Sequence, residues 1–259
     1  MYKEFPTSSP NKLSMKQPLP DFIIRGIPRH MEEDPETGWH RRILFNGPTS
    51  FLDDLCAHGG LLSGHVTPHP PHCHEHEELH IALSENLEFV GCDADSEVEY
   101  VQPVDRGSLL FTDSNIPHSF RNNAPHPAAY LHIRWKNTPT TFPSEMKRLH
   151  FYYSPGSRSG DYRRSTHEGS ETIEIYSGPT RYLSRLRALF TKVLPGGVIP
   201  CHRHAHEVIF IFISGSVEIL GRKMDTPGFA FLGTRVPHYI VNHGPEPAAF
   251  YAFELHQEA

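Results

Sequence analysis

The chain has no apolar run of the roughly 18 to 20 residues that a membrane-crossing helix needs, and its opening stretch, MYKEFPTSSPNKLSMKQPLPDF, lacks the apolar core of a secretory signal. No membrane partner is expected, and the expected address is the cytoplasm. Cysteine is scarce: Cys56, Cys73, Cys92 and Cys201 are the four present, none in C-x-x-C spacing. In a reducing compartment they read as free thiols, which excludes a disulfide scaffold or a dithiol redox motif. Blocks of like charge are also missing, and a formal charge of −6 supplies no basic stripe for a phosphate backbone. Nucleic acid is therefore not an expected partner. Neither a Gly-rich phosphate loop, a Rossmann fingerprint nor a Ser or Cys nucleophile constellation occurs. No segment sustains a 3.6-residue apolar period for three turns, so little helix is expected.

Histidine is abundant instead, with 20 in 259 residues. The histidines gather in two stretches, HPPHCHEHEELH and PCHRHAHEVIFIF, each followed further on by a Pro-His pair. The candidate ligands are His72, His74, Glu78 and His118 in the first half and His202, His204 and His238 in the second, where Val208 stands at the position matching Glu78. On a strand, residues two apart share a face, so each His-x-His pair can present two imidazoles to one ion, with a third arriving from the Pro-His strand. Three histidines with one carboxylate leave two octahedral positions open, a set suited to Fe(II) first, with Mn(II), Ni(II), Zn(II) or Cu(II) as alternatives. Without a carboxylate the second cage should bind more weakly, because Glu207 lies one residue early and would face the other way unless a bulge intervenes.

The halves repeat. IPHSFRNNAPHPAAY (Ile116 to Tyr130) and VPHYIVNHGPEPAAF (Val236 to Phe250) share seven of 15 positions, and GPTSFLDDL (Gly47 to Leu55) and GPTRYLSRL (Gly178 to Leu186) share five of nine. The His-x-His to Pro-His interval is ten residues longer in the first copy, which places a longer loop near GCDADSEVEY. Segments such as LHIAL, AAYLHIRW, VIFIFI and AAFYAFEL are short and rich in β-branched and aromatic residues, with Gly and Pro between them, so they read as strands. The expected layout is an N-terminal arm, partly disordered, over 1–41, a first β-barrel over 42–137, a linker with one strand (RLHFYYSP) and an exposed polar loop over 138–172, and a second barrel over 173–259.

These motifs resemble those of the cupin superfamily, specifically a bicupin with two tandem barrels, whose motifs run G-x5-H-x-H-x3,4-E-x6-G and G-x5-P-x-G-x2-H-x3-N. The first copy matches at His72, His74, Glu78, Gly107, His118 and Asn122, with Val66, Glu85, Asp113 and Asn115 in place of the remaining Gly and Pro. The second matches at Gly196, His202, His204, Gly215, His238 and Asn242. The resemblance implies an all-β fold of two double-stranded β-helix, or jelly-roll, barrels. It raises the expectation of metal and small-molecule binding without fixing the reaction.

The leading expectation is a non-haem Fe(II) dioxygenase acting on a small organic acid, phenol or diketone, with the main metal site in the first barrel. The alternatives are a non-oxidative metal-dependent isomerase, decarboxylase or lyase, or a sugar- or metabolite-binding barrel without catalysis. His80 shares the parity of Glu78 and is the candidate proton shuttle. Arg134 and His132 share one face of AYLHIRW and are candidate substrate contacts, the cation suiting a carboxylate. VIFIFI is apolar on both faces, which points to burial between barrels or protomers and so to a homodimer.

Overall fold

A computed structural model describes residues 16–27, 37–92, 99–138, 150–156, 162–167 and 169–257. The described residues contain strands and turns and no helix. In chain order the first ten strands are β1 (Phe22–Gly26), β2 (Trp39–Gly47), β3 (Asp54–Leu62), β4 (Glu77–Ala82), β5 (Leu87–Cys92), β6 (Glu99–Val104), β7 (Leu109–Thr112), β8 (His118–Asn122), β9 (Ala128–Lys136) and β10 (His150–Tyr153). The others are β11 (Arg163–His167), β12 (Ser170–Gly178), β13 (Arg185–Val193), β14 (Val198–His202), β15 (Glu207–Ser214), β16 (Ser216–Ile219), β17 (Arg222–Asp225), β18 (Gly228–Leu232), β19 (His238–Val241) and β20 (Ala248–His256).

The strands fall into two compact units. The first comprises Met1–Pro18 and His30–Pro155, the second Leu19–Arg29 and Gly156–Ala259. In the first unit a six-stranded sheet, β10-β7-β4-β9-β3-β2, and a three-stranded sheet, β6-β5-β8, meet over one apolar core. Leu62, Leu110 and Tyr130 enter that core from the larger sheet, Phe89 and Phe120 from the smaller. The second unit repeats the scheme with a seven-stranded sheet, β1-β18-β15-β20-β13-β12-β11, and a four-stranded one, β14-β19-β16-β17, around Phe210, Phe212, Val217, Ile240 and Phe250. β15 lies between β18 and β20 and is buried on both faces, which accounts for its unbroken apolar run.

Two segments depart from the sequence reading. Phe22–Gly26, within the arm, forms β1 and pairs antiparallel with β18. Arg163–His167, within the polar stretch read as a loop, forms β11 against β12, with every residue exposed. An edge strand needs only a paired backbone, so its polar side chains hide it from any apolar pattern. The expected disorder at the extreme N-terminus lies outside the described residues. The interval difference between the copies falls largely in one hairpin. β16 turns into β17 through Leu220 and Gly221 alone, whereas β5 and β6 are separated by residues 93–98, which lie outside the described residues.

The missing motif glycines are also explained. Gly196 and Gly215 adopt φ of 75° and 74° in the second unit. In the first unit His65 and Asn86, each one residue away from the substituted glycine slot, adopt 59° and 67°, and Asn115 takes 59° in its own slot. The left-handed turns persist with residues that tolerate them, Asn and His among the more permissive.

Asp54 opens β3 with its carboxylate 2.8 Å from Lys16 Nζ and 3.3 Å from His76 Nε2. Burial alone would raise its pKa, but His76 and Lys16 outweigh that and bring it from 3.8 to about 2. A depressed carboxyl contributes stability above its unfolded value and loses it as pH falls through the folded value. Asp54→Asn should therefore lower the urea midpoint at pH 6 and remove the part of the acid dependence between pH 3.8 and about 2 that this group supplies. An unchanged midpoint at pH 6 would show that the pairs contribute nothing.

Candidate metal centre

Strand register sets a lattice of polar side chains on the inner face of the first unit. His58 of β3, His132 of β9 and His80 of β4 stand opposite one another in one row. Cys56, Arg134, Glu78 and Thr112 make the next row. Leu79 and Ile81, on the other parity of β4, are buried on the opposite face. His118 opens β8 in the smaller sheet. His72 and His74 do not lie on a strand with Glu78, as the sequence spacing suggested: β4 begins only at Glu77. They precede it on a segment hooked to β8 by reciprocal backbone bonds between His72 and His118, at 3.0 and 3.1 Å.

The candidate ligands nonetheless meet. His74 Nε2 is 2.6 Å from Glu78 Oε1, and His118 Nε2 and His132 Nε2 are 2.7 and 2.9 Å from Oε2. The ring of His72 lies 5.6 Å from that of His74 and 5.5 Å from that of His118. His80 Nε2 stands 3.5 Å from Glu78 Oε2, and its ring stacks on His132 at 4.5 Å. The carboxylate is wholly buried, yet none of these contacts has hydrogen-bond alignment, and both nitrogens of His80 lack partners as well. Buried polar groups are ordinarily paired. Donor atoms packed around a common point without bonding one another fit a cation among them, and the N/O donor set suits a divalent transition metal. His118 Nδ1 lies 2.8 Å from the Ile116 carbonyl, which fixes the tautomer that turns Nε2 inward.

The electrostatics agree. Burial alone would raise the Glu78 pKa, but the positive potential of His132, His74 and His118 holds it well below the usual carboxylate range. Burial lowers His80 well below an ordinary histidine, His72 to about 3 and His132 to about 4, so these rings are neutral ligands or proton acceptors near pH 7. For His118, burial is outweighed by Glu78, and its pKa is raised.

Arg134 and His132 both line the cavity with Arg41, His58, His72 and His80, so their shared face points inward. Sequence reasoning missed His58, whose Nε2 lies 3.0 Å from His132 Nδ1. Only the pairing of β3 with β9 reveals it. His69, which carries no motif, packs edge-on against His72 at 4.2 Å.

In the second unit His202, His204 and His238 also converge, with His202 Nε2 3.1 Å from His204 Nε2 and the His202 and His238 rings 4.4 Å apart. His238 Nδ1 lies 3.0 Å from the Val236 carbonyl, repeating the arrangement at His118. Val208 and Phe210 belong to the apolar core on that side. Glu207 does not stand in for Glu78, because the β15 register runs unbroken from Glu207 to Phe212 and leaves it on the other parity.

Neither a scan against protein-family models nor a search of curated proteins finds a match. Solved structures do match. An oxalate decarboxylase of Bacillus subtilis with Mn(II) centres superposes with a TM-score of 0.56 at 15% identity, over 81% of this chain and 70% of its own. The oxalate decarboxylase of Lactobacillus farciminis, in a formate complex, gives 0.60 at 15% identity, over 92% and 85%. A protein of Pseudomonas aeruginosa described as glyoxylate-induced gives 0.66 at 12% identity, over 95% and 85%. The chain has the cupin fold. At such identities the likeness concerns the fold alone. None of these three neighbours is a dioxygenase or an iron protein by description, so neither Fe(II) nor oxygen chemistry gains support from them. No helix among the described residues is long and apolar enough to cross a membrane.

Proposed function

We propose that the first unit is the reactive centre of a divalent-metal enzyme acting on a small organic acid without net oxidation, by decarboxylation or a related lyase or isomerase step. His72, His74, Glu78 and His118 would hold the metal. The observation that carries this reading is the wholly buried Glu78 carboxylate, ringed at 2.6 to 2.9 Å by His74, His118 and His132. When bound, the metal would supply Lewis acidity to a substrate oxygen.

The chain's own residues account for the rest. Arg134, directly across the strand pair from Glu78, and Arg41 line the same cavity and suit a substrate carboxylate. Losing CO2 from an acid leaves an electron pair on the neighbouring carbon, and that carbon must receive a proton. His132 Nδ1 lies 3.0 Å from His58 Nε2, a contact through which a proton can pass between the cavity and the β3 wall. His80, stacked on His132 and unpartnered at both nitrogens, is the group we assign to take up a proton from solvent or the entering acid and hand it to that carbon. The oxalate decarboxylases among the structural neighbours, one with Mn(II), support this class, and Mn(II) is the metal we take first.

The test uses full-length protein purified without a histidine tag and loaded with Mn(II), offered a panel of small mono- and dicarboxylic acids while CO2 release and O2 uptake are followed. At least one acid should be converted without net O2 uptake, and His118→Ala should lose the first-unit metal and turnover together. Stoichiometric O2 uptake would move the protein to the oxidative class. An acid that raises the melting temperature but is never converted would make it a binding barrel.

A further inference from the structure

The loss of the carboxylate at Val208 is offset from the next strand. Val208 of β15 stands directly opposite Glu254 of β20, as Glu78 of β4 stands opposite Arg134 of β9. Across the same strand pair, therefore, the negative side chain has moved from one strand to its neighbour while staying on the inward face that Ala252 and Phe250 share. Glu254 is 6% exposed. Its Oε2 lies 3.5 Å from His206 Nε2 and 3.3 Å from His256 Nε2. Its Oε1 accepts from Arg187 Nη1 at 3.2 Å, and Arg187 is itself held by Glu174 through Nε at 2.6 Å. His204, His206 and Glu254 bring one donor atom each within 4.8 Å of one another, and the buried Nε2 of His206 has no aligned hydrogen-bond partner.

We propose that His204, His206 and Glu254 form a divalent-metal site in the second unit, displaced from the His202–His204–His238 cage toward β20 and pivoting on the shared His204. Two imidazoles and a carboxylate suit a first-row divalent ion. His206 and His256 face Oε2, while Arg187 Nη1 donates to Oε1 at 3.2 Å and lies 3.4 Å from Oε2, so Arg187 orients the ligand as outer hydrogen-bond partners of metal sites commonly do. The side of the His202–His204–His238 cage occupied by Glu78 in the first unit is walled by Val208 and Phe210, which offer no donor.

Co(II) titration of the metal-stripped full-length chain, read by visible absorption and by metal content, decides the matter. The wild type should bind two ions per chain, one in each unit. Glu254→Gln and His206→Asn should each weaken one of them about tenfold or more, on the scale that even outer-shell changes reach. His238→Ala should leave both ions bound. Arg187→Met should weaken the second-unit ion about ten- to a hundredfold, as loss of an orienting partner does; a variant that binds that ion more tightly would contradict the orienting role. Two ions retained in Glu254→Gln and His206→Asn, with one lost in His238→Ala, would place the ion on His202, His204 and His238 and overturn the proposal. So would a wild type that binds a single ion which disappears in Glu78→Gln.

Discussion

Glu78→Gln is expected to abolish metal binding by the first unit and all turnover while leaving the protein folded. Among the described residues Glu78 is the one carboxylate among the imidazoles of His74, His80, His118 and His132, and it carries the only negative charge facing them at 2.6 to 3.5 Å. A dication entering a site of neutral rings loses its counter-charge, and loss of a direct ligand should cost more than the 10- to 100-fold typical of outer-shell partners. An affinity loss of at least about 100-fold is therefore expected. Stability should respond differently. Glutamine keeps the volume and removes the cost of burying a charge, so the metal-free variant should melt within a few degrees of the metal-free wild type. On adding metal the wild type should then gain roughly 2.7 kcal/mol more than the variant at a hundredfold excess over the first-unit Kd, because the variant keeps only the second-unit ion. Parallel thermal melts with and without Mn(II) separate the effects. A variant that gains as much as the wild type would remove Glu78 from the ligand set.

Much of this arrangement is legible in the sequence because local periodicity encodes it. Glu78 and His80 share a face of β4, and His132 and Arg134 share a face of β9, because strand side chains alternate. The Pro-His pairs, repeated 120 residues apart, mark the strands that close each ring cluster. What periodicity does not encode is register between distant strands. His58 meets His132 only because β3 and β9 pair in one register, and Glu254 replaces the lost carboxylate only because β20 sets it against Val208. A slip of one residue would turn either away, and nothing in the local pattern of β3 or β20 states the partner. β1 and β11 escaped for related reasons. FIIRG pairs with a strand some 200 residues away, and RRSTH has no apolar face from which a strand could be read. The substituted glycines of the first unit misled in a milder way, since His65, Asn86 and Asn115 preserve the turn geometry under different letters.

Asn122→Ala should destabilise the first unit more than any other single polar truncation outside the ring cluster, by about 3 to 5 kcal/mol. The residue is wholly buried at the end of β8. Its Nδ2 donates to the carbonyls of Ser63 at 3.0 Å and His126 at 2.7 Å, and its Oδ1 accepts from the Ala124 amide at 3.0 Å. One amide thus ties together the end of β3 and the turn between β8 and β9. Truncation strands several buried backbone groups, each costing roughly 1 to 3 kcal/mol when left unpaired. Asn242 repeats the arrangement with Val193 at 2.9 Å, Glu246 at 2.8 Å and the Gly244 amide at 2.8 Å. That shared role explains why the asparagine recurs four residues after the histidine in both copies: it pins the far end of the strand whose first residue is His118 or His238. Asn123→Ala, one residue on and exposed, should stay within about 0.5 kcal/mol and serves as the control. Urea denaturation of the two variants, with metal content measured on the native fraction, checks both halves of the argument. Asn122→Ala should unfold at lower urea and hold metal less well, because β8 then anchors His118 at one end only. Equal midpoints for the two variants would mean that the buried amide contributes no more than a surface one.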